Sequence, residues 1–417
     1  MKKTRSILAF AALLISVSGY AQLGPIVTSW KINNTITGYD NITADVQKVQ
    51  YTDSFVYVSC TDIPDYTIGP TWGNDPNKPS NQAFTYKLPR YPQKNTATKT
   101  AVGLGHVAVL INGVSLFNAS DANSYQNDNT WHQNAYVVEV SSFDSCYGHA
   151  QQQGEYHHHG SPRCLYDETD SSKHAPLLGF SFDGYPVYGD YSYAYANGTG
   201  KITRMRSSYR LRNITVRHTL ADTSVHLVGT QYGPNVSTQY PLGYYLEDYE
   251  YVPGLGQLDS NNGRYCVTPE YPKGTYAYFL TVDSSGYPVY PYTLGLNYYG
   301  TVTNDNIGMG SAKNTVPGTA ATYTSIRPLS QPENIEYSLY PNPVADGNIY
   351  LKISSGEELT NLKATVYNSV GQVLQVRDNL QAGIEYTFSM KNLPGGIYFV
   401  KVESANAASV QKVIVAN

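Results

Sequence analysis

The stretch Leu177-Leu178-Gly179-Phe180-Ser181-Phe182-Asp183-Gly184-Tyr185-Pro186-Val187-Tyr188 indicates the fold class of this 417-residue chain. Its two apolar, aromatic-rich runs flank Asp183-Gly184, and this arrangement is a strong signal for a two-residue β-hairpin turn. A second hairpin is predicted around Asn112-Gly113, and a third around residues 283–286. Long apolar stripes with a helical period are absent from the sequence. We therefore predict a mainly β protein with few, short helices.

The composition agrees with that prediction. The chain contains 40 Tyr, 35 Gly and 23 Pro; Tyr favours strands, while Gly and Pro favour turns. Charged residues make up only 14% of the chain and the net charge is −4. A nucleic-acid-binding protein is not expected, because that class needs a basic domain or face.

The first residues are typical of a secretory signal peptide. Lys2, Lys3 and Arg5 precede the apolar stretch 7–17, and small residues near Ala21 offer a cleavage site. We predict a signal peptide over residues 1–21. No later stretch is long and apolar enough to form a transmembrane segment. The mature protein is therefore expected to be exported.

Two domains are predicted after the signal peptide. The larger spans residues 22–302, with its core at about 100–300. A change to Gly, Ala, Thr, Asn, Ser and Pro predicts a linker over residues 303–336. Residues 337–417 contain several short, regularly spaced strand patterns, which predict a small C-terminal β-sandwich. This smaller domain contains neither His nor Cys, so metal chemistry is expected in the larger one.

The most informative polar motif is Gly154-Glu155-Tyr156-His157-His158-His159, preceded by Cys146-x-x-His149. In an extended strand, His157 and His159 share one face with backbones about 6.6 Å apart, and His158 faces the other way. Imidazole is a common ligand of transition metals. We predict a Cu or Zn ion bound by His149, His157 and His159.

Further ligands are open at this stage. His106 is the next candidate, followed by His132 and His174, whereas His158, His218 and His226 are interpreted as structural or solvent-facing. Whether the protein is an enzyme also stays open. In a metal-dependent enzyme, the same histidines would leave a coordination position free, and Glu155 or Asp144 would transfer protons. Alternatively, the protein is a structural or glycan-binding surface protein whose histidines only form hydrogen bonds.

Four cysteines in an exported protein suggest two disulfides. We predict Cys146–Cys164, which would enclose the histidine run, and Cys60–Cys266. The alternative assigns Cys146 and Cys164 as metal thiolates.

The C-terminal residues resemble the type A sorting domain of type IX secretion substrates. The resemblance rests on Tyr340-Pro341-Asn342-Pro343, residues 366–371 and Leu393-Pro394-Gly395-Gly396-Ile397-Tyr398. It implies a Bacteroidota source and recognition by the type IX secretion machinery. It also implies a location outside the outer membrane, either released or attached to surface lipopolysaccharide or glycan.

The larger domain resembles the YHYH family. Its motifs are residues 144–149, the histidine run with Pro162-Arg163-Cys164-Leu165, and residues 178–189, 248–251, 262–271 and 274–278. Two positions depart from the family pattern: His158 replaces the second Tyr, and Tyr147 stands where a smaller polar residue is common. The resemblance implies a domain type and leaves its reaction unassigned.

Overall fold

The computed structural model describes residues 23–69, 76–308, 310–324, 335–344, 346–354, 362–369, 372–404 and 408–416. The predicted signal peptide, residues 1–21, lies outside these ranges. The chain divides into two compact units, one ending at Thr324 and the other beginning at Ser325. Across the described ranges, no helix is long and apolar enough to cross a membrane.

The first unit is built from short strands joined by turns. Its two described α-helices are single turns, α1 (Pro25–Thr28) and α2 (Ala135–Val138). Its strands are β1 (Val46–Tyr51), β2 (Phe55–Cys60), β3 (Phe84–Pro89), β4 (His106–Leu110), β5 (Ser115–Phe117), β6 (Ser120–Ser124), β7 (His132–Asn134), β8 (Gly148–Ala150), β9 (Tyr156–His158), β10 (Leu177–Ser181), β11 (Pro186–Tyr188), β12 (Tyr191–Tyr193), β13 (Ile202–Arg204), β14 (Tyr209–Leu211), β15 (Tyr249–Tyr251), β16 (Gly263–Cys266), β17 (Thr275–Phe279) and β18 (Ala321–Tyr323). Short 3₁₀ turns lie at Tyr39–Asn41, Tyr125–Asn127, Val140–Ser142, Gly229–Gln231, Leu246–Asp248 and Asn304–Asn306.

An eight-stranded mixed sheet forms the centre of this unit, in the order β16-β17-β11-β10-β4-β5-β9-β8. The hairpin predicted around Asp183-Gly184 is confirmed as β10–β11, and the one around Asn112-Gly113 as β4–β5. Strands β4 and β10 are buried along their whole length, which matches their nearly continuous apolar sequences. The strand that carries the histidine run, β9, pairs with β5 in parallel and with β8 in antiparallel orientation.

The third predicted hairpin is reduced to a single bridge between Val282 and Pro288. Strand β17 instead pairs with β16 on one side and with β11 on the other. Both of its backbone edges are therefore occupied, and residues 287–292 cannot pair along it. Burial of every β17 side chain explains why this strand lies inside the sheet.

A second, four-stranded sheet has the order β18-β1-β2-β3. On β3, the side chains of Phe84, Tyr86 and Leu88 are buried while the alternate positions are half-buried. These residues share one hydrophobic cluster with the larger sheet. Trp30, after α1, contributes to the same cluster and packs against Phe180, with ring centroids 5.4 Å apart. The core of the first unit therefore lies between the two sheets.

The first part of the predicted linker, residues 303–324, belongs to the first unit. Strand β18 pairs with β1, and Ala312 is completely buried. The Asn306 side chain accepts from the Lys87 N–H at 3.0 Å and donates to the Lys87 carbonyl at 2.6 Å. Side-chain amides help to hold this segment in place, so the change in composition from which the linker was predicted occurs within folded structure.

The second unit contains two antiparallel sheets, which confirms a small C-terminal β domain. One sheet has the order β19-β20-β23 and the other β22-β21-β24-β25. Ile349, Leu351, Val366 and Val400 are completely buried in its core. The strands are β19 (Tyr337–Tyr340), β20 (Asn348–Ile353), β21 (Leu362–Asn368), β22 (Val373–Leu380), β23 (Glu385–Ser389), β24 (Gly396–Glu403) and β25 (Ala408–Val415).

The β4–β5 turn provides a test of the packing between the two sheets. Gly113 has a φ of +81°, and a Cβ atom there would lie 2.5 Å from Cys60 Cβ on β2. We expect Gly113→Ala to lower the free energy of unfolding by about 1–3 kcal/mol, because it adds backbone strain and a steric clash.

The matched control is Gly103→Ala, whose added Cβ meets no atom within 4 Å. We expect its effect to stay within about 0.5 kcal/mol. All three tryptophans, Trp30, Trp72 and Trp131, precede Ser325, so tryptophan fluorescence during urea denaturation follows the first unit. Equal midpoints for the two variants would contradict the predicted packing.

Candidate metal centre

Three imidazoles converge at the β8 edge of the eight-stranded sheet. Antiparallel pairing places His149 of β8 directly opposite His157 of β9, so both side chains point to the same face. His159 follows two residues after His157 and returns to that face. One nitrogen from each of the three rings lies within 4.8 Å of the others. All three side chains are buried, with exposed fractions of 6%, 2% and 2% in chain order.

Hydrogen bonds at Nδ1 determine the tautomer of each ring. His157 Nδ1 lies 3.2 Å from the Glu155 carbonyl and His159 Nδ1 lies 2.6 Å from the Asn118 carbonyl. Since a carbonyl can only accept, both Nδ1 atoms carry the proton. His149 Nδ1 lies 2.8 Å from Ser142 Oγ, which donates its own proton to the Glu139 carbonyl at 2.6 Å. Ser142 therefore accepts from His149 Nδ1–H.

With Nδ1 as the donor, neutral His149 and His157 each present an unprotonated Nε2, and His159 Nε2 lies 3.1 Å from Glu139 Oε2. His157 Nε2 and His159 Nε2 lie 3.1 Å apart, and His149 Nε2 is buried without a hydrogen-bond partner. Two facing lone pairs at this distance repel unless a proton or a cation lies between them. Two ligands of a tetrahedral ion with bonds of about 2.0–2.1 Å are separated by roughly 3.3 Å. The spacing of this pair is therefore compatible with a shared proton and with a bound metal ion.

The environment keeps two of these rings, His149 and His157, neutral. Burial, together with the neighbouring His159 and His158, lowers the pKa of His149 to about 2. Burial also lowers the pKa of His157 well below its ordinary value, with added repulsion from His149 and His159. A neutral imidazole is the form that binds a metal, so His149 and His157 can bind one without releasing a proton.

Among the described residues, Glu139 provides the acidic side chain that reaches the cluster, and no sequence motif predicted it. Its Oε2 lies 3.1 Å from His159 Nε2 and 3.8 Å from His149 Nε2. Burial raises the pKa of Glu139, while His159 opposes the rise. Glu139 immediately follows α2, which begins where the Asn134 side chain caps the Tyr136 N–H. In the sequence, Glu139 is recognisable only as an acidic residue that precedes His149. Asp144 fits the same description.

Two phenylalanines form apolar walls around the cluster. Phe117 stacks on His157 with ring centroids 3.7 Å apart, and Phe143 contacts His149 edge-on at 4.8 Å. These rings exclude water from one side of each imidazole. Side-chain access to solvent is greatest at Glu139, which is 24% exposed. Entry to the cluster is therefore expected on the Glu139 side.

A disulfide encloses the cluster, as the sequence predicts. Cys146 and Cys164 are bonded across 18 residues that include β8, β9 and all three histidines. Their sulfur atoms are not available as thiolate ligands, so the alternative assignment is wrong.

The predicted Cys60–Cys266 disulfide is also wrong, because both are buried free thiols. Cys60 ends β2 in the four-stranded sheet and donates to the Gly113 carbonyl at 3.2 Å. Cys266 ends the edge strand β16 of the other sheet. The even number of cysteines predicted this pair, but the two residues lie in separate sheets.

His106, the fourth candidate ligand, is not part of the cluster. Its Nδ1 lies 2.7 Å from Glu155 Oε1, and its Nε2 lies 2.8 Å from Ser311 Oγ. Both ring nitrogens are therefore occupied by hydrogen bonds. Glu155, a weak candidate for catalysis, uses both of its carboxylate oxygens in hydrogen bonds, one with His106 and one with Gln151. Only its backbone carbonyl contacts the site, through His157.

Asp144, the other weak catalytic candidate, anchors the turn before β8. Its carboxylate accepts from the N–H groups of Cys146 and Gly148 and from the Tyr156 hydroxyl. Its lone pairs are used to hold the backbone, and it does not reach the three Nε2 atoms. The structure therefore gives this residue a positioning role.

The remaining histidines lie elsewhere. His158 points to the opposite face of β9, as alternation predicts, and contacts the Tyr66 hydroxyl and the Tyr147 carbonyl. His132 pairs with Glu247 at 2.7 Å, and His174 lies 3.0 Å from Ser192 Oγ. Neither His132 nor His174 contributes to the cluster.

The comparisons with known proteins divide the chain in the same way. Residues 338–416 match the family described as the secretion system C-terminal sorting domain. This match indicates delivery by the type IX secretion system to the cell surface or the extracellular space. A comparison with curated protein sequences finds no match.

Among solved structures, the BSP domain of a biofilm associated protein is similar at 18% identity, over 20% of this chain and 14% of that one. Its TM-score of 0.18 is too low to support an argument about fold or function. Residues 85–293 match the family described as YHYH protein, and this range includes His106, the disulfide and the three converging histidines. The chain therefore belongs to the YHYH protein family.

Proposed function

We propose that this exported protein binds a transition-metal ion through the Nε2 atoms of His149, His157 and His159, with Glu139 as a fourth ligand. The observation that carries the proposal is the convergence of three buried Nε2 atoms. Every Nδ1 donates to a fixed acceptor, so in the neutral form of each ring only Nε2 is left to accept a hydrogen bond or bind a cation. Burying three convergent acceptors is unfavourable unless a cation satisfies them.

The donor set indicates which metals fit. Three imidazoles and one carboxylate suit Zn²⁺ or Cu²⁺, and sulfur ligands that would favour Cu⁺ are missing from the described part of the cluster. The 3.1 Å spacing between His157 and His159 agrees with tetrahedral coordination. When bound, such an ion would act as a Lewis acid or, if copper, as a redox centre. The hydrogen bonds at Nδ1 would hold the rings in place and raise their basicity.

The geometry favours metal binding over the two alternatives. A purely hydrogen-bonding role requires a partner for each Nε2, and His149 Nε2 has none among the described residues. The metal-dependent enzyme considered from the sequence would use Glu155 or Asp144 to transfer protons. Glu155 and Asp144 are committed to other contacts, and Glu139 lies where a ligand would lie.

The first test is the metal content of the full-length mature protein, purified without a histidine tag and exposed separately to Zn²⁺ and Cu²⁺. We expect about one ion per chain for the wild type. The His157→Ala/His159→Ala variant should lose the ion, since two of the three nitrogens are gone. Elemental analysis measures both.

His226→Ala is the matched control, because His226 is exposed and lies outside the cluster. It should bind as the wild type does. Since truncation of buried rings can affect folding, His149→Gln is a second variant, and circular dichroism checks each protein. A folded wild type without either metal, or a folded double variant that retains its ion, would overturn the proposal.

The second test concerns Glu139. Glu139→Gln removes the negative charge but preserves the side-chain shape, so we expect metal affinity to fall by about 10- to 100-fold with unchanged stoichiometry. Competition with a chromogenic chelator measures the affinity. Asp167→Asn, at an exposed carboxylate, is the control. Equal affinities for Glu139→Gln and the control would remove Glu139 from the ligand set but leave the three histidines in it.

The lowered pKa of His149 predicts a pH dependence for the metal-free protein. The unfolded chain binds a proton near pH 6.5, whereas folded His149 stays neutral down to about pH 2. Stability from this group is therefore complete above about pH 6.5 and declines as the pH falls, by up to about 1.4 kcal/mol per pH unit.

Urea denaturation in the presence of a chelator, at neutral and at mildly acidic pH, measures this dependence. Between the two conditions, the wild type should lose more stability than His149→Gln, whose side chain does not titrate. Parallel losses in the two proteins would show that His149 becomes protonated in the folded state.

A further inference from the structure

A cavity in the first unit is separate from the histidine cluster. Its volume is about 780 Å³, and its walls come from β14, β15 and the loops around residues 101–104 and 294–296. This volume falls within the range of about 300–1,000 Å³ that is typical of ligand pockets. None of His149, His157, His159 and Glu139 lines it. A ligand could therefore occupy this cavity without contacting the proposed metal ion.

Four tyrosines form an aromatic surface in the cavity. Tyr249 is half-buried and stacks on the buried Tyr290, with ring centroids 4.1 Å apart and an interplanar angle of 11°. Tyr251 is half-buried and packs against the buried Tyr209 at 5.6 Å. The Tyr209 hydroxyl donates to the Ser260 carbonyl at 2.7 Å, which fixes that ring. Each accessible ring is therefore held in place before a ligand arrives.

Three carboxylates line the same cavity, those of Asp222, Glu247 and Glu250, and other residues orient the two glutamates. Glu247 contacts His132 twice, at 2.8 Å from the backbone nitrogen and 2.7 Å from Nδ1. Glu250 Oε1 accepts from Arg210 Nε at 2.9 Å. Each carboxylate offers about four acceptor positions, so both keep capacity for further hydrogen bonds. Their partners also offset much of the local negative charge.

We propose that this cavity binds a neutral oligosaccharide. The apolar C–H faces of sugar rings would pack on Tyr249 and Tyr251, and the hydroxyl groups would donate to Glu247 and Glu250. A sugar ring has an apolar face and many hydroxyl donors. These features complement the aromatic faces and the carboxylate acceptors of the cavity.

Other ligand classes fit the lining less well. A wholly apolar ligand would remove water from the carboxylates without replacing its hydrogen bonds. An anion would meet carboxylates in a cavity that no described lysine or arginine lines. A cation would meet two glutamates whose charge His132 and Arg210 already offset, beside the exposed Asp222, which accepts from Ser224.

The test uses the full-length mature protein with cellotriose, chitotriose, maltotriose and xylotriose at millimolar concentrations. Saturation-transfer NMR identifies binding, and calorimetry measures Kd. We expect at least one trisaccharide to bind, with transfer to its ring C–H protons. Tyr251→Leu should weaken binding by about tenfold, because it removes an aromatic face but keeps an apolar side chain. Tyr265→Leu is the control, since Tyr265 is 62% exposed and lies outside the cavity.

Urea denaturation followed by tryptophan fluorescence confirms that each variant is folded. All titrations are repeated with a chelator, and binding should not change, so failure of the metal proposal would not affect this result. The proposal is overturned if no trisaccharide binds, or if folded Tyr251→Leu binds as tightly as the control. Binding of phenyltrimethylammonium in the absence of any saccharide binding would also overturn it and would assign the cavity to organic cations.

Discussion

The antiparallel pairing of β8 with β9 is the constraint on which the candidate metal centre depends. This pairing places His149 opposite His157, and the two-residue period of β9 brings His159 to the same face. Because β9 also pairs with β5, the cluster is attached to a fully buried strand of the central sheet. The Cys146–Cys164 disulfide closes the chain around both strands. A one-residue shift in register would turn His149 away from the other two rings.

Backbone carbonyls determine the chemistry of the cluster as directly as the histidines do. The Asn118 and Glu155 carbonyls accept hydrogen bonds from Nδ1 of His159 and His157, and the Ser142 hydroxyl accepts one from Nδ1 of His149. These acceptors are held by the sheet and its flanking turns, so the ring orientations do not depend on a bound ion. A site built this way loses little conformational entropy when it binds a ligand.

Local sequence patterns predicted the parts of the structure that depend on neighbouring residues. Strand alternation placed His157 and His159 together and His158 apart, and Asp183-Gly184 predicted the β10–β11 hairpin. Local patterns could not identify Glu139, because its distance to His159 depends on the long-range packing of α2, which contacts β6 and β7. Counting the cysteines paired Cys60 with Cys266, although sheet topology separates them. His106 was chosen for its sequence position, but a contact with Glu155 holds it outside the cluster. Long-range packing determined all three of these outcomes.

The departure from the family motif at His158 is explained by the same alternation. His158 lies on the face of β9 opposite to the cluster, where its ring contacts the Tyr66 hydroxyl and the Tyr147 carbonyl. Burial lowers the pKa of His158 to about 4, so this ring is neutral at physiological pH. A neutral imidazole there adds no positive charge that would repel a metal ion on the other face. Replacement of Tyr by His at this position therefore preserves both the geometry and the electrostatics that the three converging imidazoles require.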